Sequence, residues 1–174
     1  MTTNSKDTVF KLKALGVYQL LFAVAGCILT AVLMVRTGFQ YWQVTLLFAV
    51  AFALYSYAII CGIFCWQLKK EALPYSLVNQ YLQLVSFSIV GYGFKYLAGS
   101  ALYVGVDLTN NFVVNINLEV VSTWTIRFAS NSDAIVINFN LAAMAVIIII
   151  NKLSKIIAEE ETNREVLDIG SGLG

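Results

Sequence analysis

The sequence predicts an all-α membrane protein: four transmembrane helices, with a small extracytoplasmic β hairpin or three-strand insertion between the third and the fourth. Three observations point there. Of 174 residues, 59% are hydrophobic and 12% charged, and the mean hydropathy is +0.77, against roughly 25% charged in soluble domains. A single-domain chain of this length would have to leave much of that apolar surface outside, so lipid must cover it. The apolar residues also gather into four runs, residues 14–35, 44–66, 82–106 and 138–157, each near the ~20 residues that cross the hydrocarbon. Between the last two runs, residues 107–133 abandon the helical pattern for an alternation of period two. Net charge +1 lacks the clustered basic face of a nucleic-acid binder. The absence of histidine removes the commonest general base and metal ligand.

The first thirteen residues are short and polar, with Lys6, Lys11 and Lys13, and read as a disordered cytoplasmic lead. In the first run, Val24-Ala25-Gly26-Cys27 fits a lipoprotein processing box. The apolar run continues through Val35, however, so an uncleaved span is expected. A short connection holding Gly38, Tyr41 and Trp42 makes spans one and two antiparallel neighbours with an interfacial aromatic belt. Cys61 and Cys65 share one face of span two. Their spacing suits neither structural zinc nor a disulfide-forming pair, so they read as packing residues.

Residues 67–83 form a linker in which Pro74 interrupts a straight continuation and Ser76 offers an N-cap. The following helix starts amphipathically, with Asn79, Gln80 and Gln83 among apolar neighbours, and is expected to lie at the interface before entering the bilayer. Lys95 is the only charge in the middle of a run. A lysine at mid-span costs on the order of 3 kcal/mol, so it must snorkel, find a partner in the outer segment, or serve transport. The acids within reach of it in sequence are Asp107, Glu119 and Asp133. Beyond it, Val114, Ile116, Leu118 and Val120 alternate with Asn115, Asn117 and Glu119, and Trp124, Ile126 and Phe128 alternate with Thr123, Thr125 and Arg127. Such alternation marks half-buried strands. Lys95, Asp107, Glu119, Arg127 and Asp133 are therefore the candidate ligand or partner residues. No catalytic cluster, metal set or cofactor motif within the spans accompanies them.

Ala142, Ala143 and Ala145 in span four, and Gly91 and Gly93 in span three, suit close helix packing. Residues 158–174 make a charged cytoplasmic tail, with Glu160 and Arg164 spaced to pair along a helix. Its ending, Val166-Leu167-Asp168-Ile169-Gly170-Ser171-Gly172-Leu173-Gly174, resembles the strand-to-glycine-loop motif of class I methyltransferases. One alternative is thus a membrane anchor of a truncated methyltransferase; it needs a strand before the glycines and a helix after them. Lys6, Lys11, Lys13, Lys69, Lys70, Lys152, Lys155 and Arg164 fall on one side of the four spans, against Arg36 and Arg127 on the other. The positive-inside rule then places both termini in the cytoplasm.

In this layout the chain resembles the small bacterial membrane proteins grouped as domain of unknown function 2975. The resemblance rests on Leu73-Pro74-Tyr75-Ser76-Leu77-Val78-Asn79, on Ile137-Asn138-Phe139-Asn140-Leu141 and on residues 153–161. The basic residues usual after that asparagine are replaced by Gln80, Tyr81 and Gln83. The resemblance implies a multi-pass protein of the bacterial inner membrane, without established enzymatic activity and often encoded beside a small helix-turn-helix regulator. The expectation is a non-enzymatic sensing or partner-binding module, with the lipid bilayer and a cytoplasmic regulatory protein as partners and a homo-oligomer also open to it. A small transporter or channel using Lys95 is the other alternative.

Overall fold

A computed structural model describes residues 3–38, 41–69, 71–127 and 133–171, with the side chains of 3–5, 161 and 164–171 left aside. Phe128, Ser132, Lys70 and the closing Gly172–Gly174 lie outside the described residues, as does the side chain of Arg164. Helix α1 (Thr3–Thr37) is already helical across the expected disordered lead, where Lys11 pairs with Asp7 one turn earlier. It packs antiparallel to α2 (Trp42–Trp66). The two backbones approach at Gly16 and Gly62, where a Cβ on Gly16 would stand 2.8 Å from the Gly62 carbonyl oxygen, and Gly26 makes room for the Tyr55 ring. Small residues at such crossings are the usual means of close helix contact in lipid. Among the described residues, three helices are long and apolar enough to cross a membrane: Lys6–Thr37, Trp42–Trp66 and Leu141–Glu160.

The third apolar run is not a helix, and this overturns the all-α four-span class. Helix α3 (Ala72–Leu84) stops at Leu84, and Val85 begins a six-stranded antiparallel sheet. Its strands are β1 (Val85–Ile89), β2 (Tyr92–Leu97), β3 (Ala101–Asp107), β4 (Val113–Glu119), β5 (Thr123–Arg127) and β6 (Ile135–Asn140), in the order β4-β3-β6-β1-β2-β5. The protein is therefore a mixed α/β molecule, and the expected 107–133 insertion supplies only β4 and β5 of a larger sheet. The physical reason lies in residues 85–106. Val85, Phe87, Ile89, Phe94 and Tyr96 alternate with Ser86, Ser88, Gly93 and Lys95, a strand pattern in which the small Ser and Gly scarcely lower the hydropathy. Gly91 is thus a hairpin turn residue (φ 82) beside Val90 (φ 41), and Gly93 is a strand residue. The fourth run is also divided. Residues 135–140 are strand, and helix α4 (Leu141–Ser171) follows without a break.

The sheet must curl. Its edge strands β4 and β5 are joined by residues 120–122 alone. Four residue steps from Glu119 to Thr123 reach at most about 14 Å, whereas six flat strands would hold their edges roughly 24 Å apart. The ammonium of Lys95 on β2 accordingly reaches Glu119 on β4 and stands 5.3 Å from the Tyr103 ring on β3. Two clusters hold the layers together. Leu12 and Leu15 of α1 meet Cys65, Leu73, Ile150 and Leu153 at the lysine-bearing end of the helices. Ala23, Tyr55 and Ala58 meet Tyr96 and Ala98, so the sheet sits on the middle of α1 and α2.

Candidate functional site

The strand registers sort the side chains onto two faces. Ser86 pairs with Asn138, Lys95 with Thr125, Gly93 with Arg127, Tyr103 with Asn117 and Ala101 with Glu119. Directly opposed residues share a face, so the concave face carries hydroxyls, amides and all the sheet's charges. The convex face carries Phe87, Phe94, Leu102, Val104, Ile116, Leu118, Ile137 and Phe139. Within the concavity lies a pocket of about 210 Å³, room for roughly seven waters at ~30 Å³ each. Its wall holds Ser86, Ser88, Lys95, Thr125, Arg127 and Asn138 and no carboxylate. The Ser88 hydroxyl is buried without a partner among the described residues, and Asn138 donates to Ser86. Gly105 on β3 is required here, because a Cβ would run into the Asn138 amide and the Ile137 carbonyl.

The five candidate residues are not equivalent. Lys95 forms an ion pair with Glu119, which also accepts from Asn117. Both charged side chains are mostly shielded from solvent, at 27% and 20% exposure, so the pair matters more than a surface one. Arg127 joins Lys95 on the pocket wall. Asp107 shares their face but ends β3 at the sheet's far tip, where Thr109 donates to its carboxylate; both the hydroxyl and the N–H of Thr109 hold that carboxyl below its usual pKa. Asp133 is exposed beyond β5 and is not part of the pocket. The alternation over 113–127 points to Glu119 and Arg127, whereas Ser86 and Ser88 lie in a run that reads as helix; Asn138 falls in a third alternation, Ile135, Ile137 and Phe139 against Asn138 and Asn140, where nothing marks it as a site residue.

Beneath the pocket the helices present polar groups to the sheet's inner loops. The Gln83 side-chain oxygen accepts from Ala98 N–H, the Tyr18 hydroxyl from Ser100 N–H, and Tyr55 donates to the Leu97 carbonyl. Tyr96 donates toward Leu54 O and Asn79 Oδ1, Ser122 to Phe22 O, and the Trp124 indole to Thr30. Asn140 caps α4 by accepting from Ala142 and Ala143. A buried loop carries backbone groups that must be satisfied, and Tyr55, Gln83 and Tyr18 do so for Leu97, Ala98 and Ser100. Helix α3 is amphipathic the opposite way from a soluble one. Ser76, Asn79, Gln80 and Gln83 are buried, while Tyr75, Val78 and Tyr81 face outward. It is not an interfacial helix, and Ser76 is no N-cap: it lies inside the helix, donating to Gln19 and touching Cys65.

The chain matches no protein-family model, no curated protein and no solved structure. The methyltransferase-like ending meets a separate obstacle. Residues 166–170 continue helix α4, whereas that motif needs a strand running into its glycines.

Proposed function

We propose that the protein is a non-enzymatic sensing module of the membrane, taking a small anionic solute into the concavity of its sheet and passing the binding state to the lysine-bearing end through α4. The observation that carries this reading is the unbroken passage of β6 into α4. Asn138 lines the pocket, Asn140 two residues later caps the helix, and the helix runs on past Ile150 and Leu153 to its charged end. A shift in Asn138 is thereby a shift in the helix's first turn. With the Lys95 charge met by Glu119, the Arg127 guanidinium beside four hydroxyl or amide groups favours a carboxylate or phosphate ligand. The basic residues at the joint end of α1, α2 and α4 support placing that end in the cytoplasm of a bacterial cell. There a regulatory protein would meet the groove of Leu12, Leu68, Leu73, Pro74, Ile157 and Ala158. The transport alternative assigned Lys95 to a spanning helix; on β2, paired with Glu119, it has a structural partner instead.

The test is thermal unfolding of the purified full chain in detergent with inorganic phosphate, succinate or uncharged glucose. An anion at a hundred times its Kd stabilises by about 2.7 kcal/mol, so one of the two anions should raise Tm by several degrees. Arg127→Gln should erase that rise. No response to either anion, or an equal response to glucose, rejects the ligand class.

A further inference from the structure

The convex face of the sheet is apolar from edge to edge, and much of it is bare: Ile116 is 73% and Leu118 67% exposed, with Val114, Leu102, Phe139 and Phe87 also open. A patch of this extent calls for an occupant. Two rulers along the spanning helices give its depth. On α1, Leu15 belongs to the cluster at the lysine-bearing end and Thr30 accepts the Trp124 indole. Fifteen residues separate them, a rise of about 22 Å at 1.5 Å each. On α2, Cys65 belongs to the same cluster and Phe48 packs on the Trp124 ring, about 25 Å away by the same rise. Both distances fall short of the roughly 30 Å hydrocarbon thickness. On α4, only about 18 Å separate Leu141, which follows the sheet, from Leu153 in the basal cluster. Something other than helix must fill the remaining depth beside α1 and α2.

We infer that the curled sheet stands within the leaflet distal to the lysine-bearing end, with the β4-β3-β6-β1 part of its convex face against lipid acyl chains, the Tyr96–Trp124 part on α1 and α2, and its polar face turned inward. Open sheet edges are costly in hydrocarbon, and the curl draws the two edges together at their inner end. The edges β4 and β5 are brought together by residues 120–122, and α1 lies at that seam, where Ser122 bonds to Phe22 O, Trp124 to Thr30, and Leu29 lines a pocket with Lys95 and Glu119. The sheet's inner loops, at mid-depth, have their backbone groups taken by Tyr18, Tyr55 and Gln83. Irregular backbone at membrane depth is tolerated only under such cover. The inference is independent of any ligand in the concavity.

The experiment places single cysteines at Val114, Ile116, Leu118 and Asn117 of the full chain, in a Cys27→Ala background because Cys61 and Cys65 are buried. Each is labelled with an environment-sensitive fluorophore and reconstituted into phosphatidylcholine vesicles carrying nitroxides at shallow or deep acyl positions. β4 runs toward the bilayer centre, so Val114 should be quenched more by the shallow nitroxide and Leu118 more by the deep one. Labels at 114, 116 and 118 should be shielded from iodide several-fold relative to Asn117. Iodide access equal to that of Asn117 at all three, or shallow quenching throughout, overturns the inference: the first means a sheet in water and the second a sheet lying on the surface. If Ile116→Cys does not fold, Val114 and Leu118 still supply the depth order.

Discussion

At the scale of single residues, the charged pair and the glycine of the concave face decide most. Lys95→Met leaves the Glu119 carboxylate half-buried without its cation, and should cost about 1–2 kcal/mol. Glu119→Gln should cost a similar amount, and the double variant should lose less than the sum, since the penalty is that of the abandoned charge. Denaturant unfolding in detergent measures all three. Gly105→Ala should cost about 2 kcal/mol or more, because the new methyl collides with backbone as well as with Asn138. At the sheet tip, Val90 has φ 41 in a two-residue hairpin with Gly91, a conformation that a β-branched residue adopts at a cost of roughly 1 kcal/mol. Val90→Asn should therefore raise stability by about that amount. The Asp107 carboxyl, depressed by Thr109, contributes stability above its unfolded value near pH 4 that is lost as pH falls through the lower folded value. Asp107→Asn should flatten the acid limb of a Tm-versus-pH curve over that interval. The pairing of Lys95 was readable as a need for an acid. Which acid met it was not, because the partner came through a curl that strand pattern alone does not encode.

Among the elements, α3 shows where sequence reasoning succeeded and why it then failed. Its amphipathic start was visible in Asn79, Gln80 and Gln83, but a polar stripe on a short helix looks the same whether it faces water or the protein interior. What decides is the neighbour: Ala98 and the loop after β2 need acceptors, and Gln83 supplies one. Gln83→Leu should strand that N–H and cost about 1–3 kcal/mol despite adding apolar surface, an outcome opposite to that of a lipid-facing site and checked by the same unfolding assay. The first two spans were legible because uncharged runs of full membrane length leave few options. Residues 82–106 were not. The run has the length of a span and a single charge, and the alternation of Ser86, Ser88, Gly93 and Lys95 with aromatic and branched residues is what distinguishes it.

For the whole molecule, the architecture is three helices of membrane-crossing length, α1, α2 and the first part of α4, with α3 and the curled sheet packed beside them. That arrangement brings the starts of α1 and α3 beside Ile150 and Leu153 of α4, so the N-terminal helix and the charged extension of α4 leave from one end. Cysteines placed at Lys6 and Glu159 should react together with a membrane-impermeant maleimide from one side of oriented vesicles, and Asn117→Cys from the other. Opposite labelling of Lys6 and Glu159 would contradict the packing of α1 against α4. The curl carries a consequence for biogenesis. A strand released singly into lipid exposes its whole ladder of peptide groups, so residues 85–140 have no stable halfway state there. They must pass the insertion machinery as one polypeptide loop and zip together against α1 before lipid closes round them. This segment, more than either long helix, is therefore the stretch where an insertion chaperone would be needed.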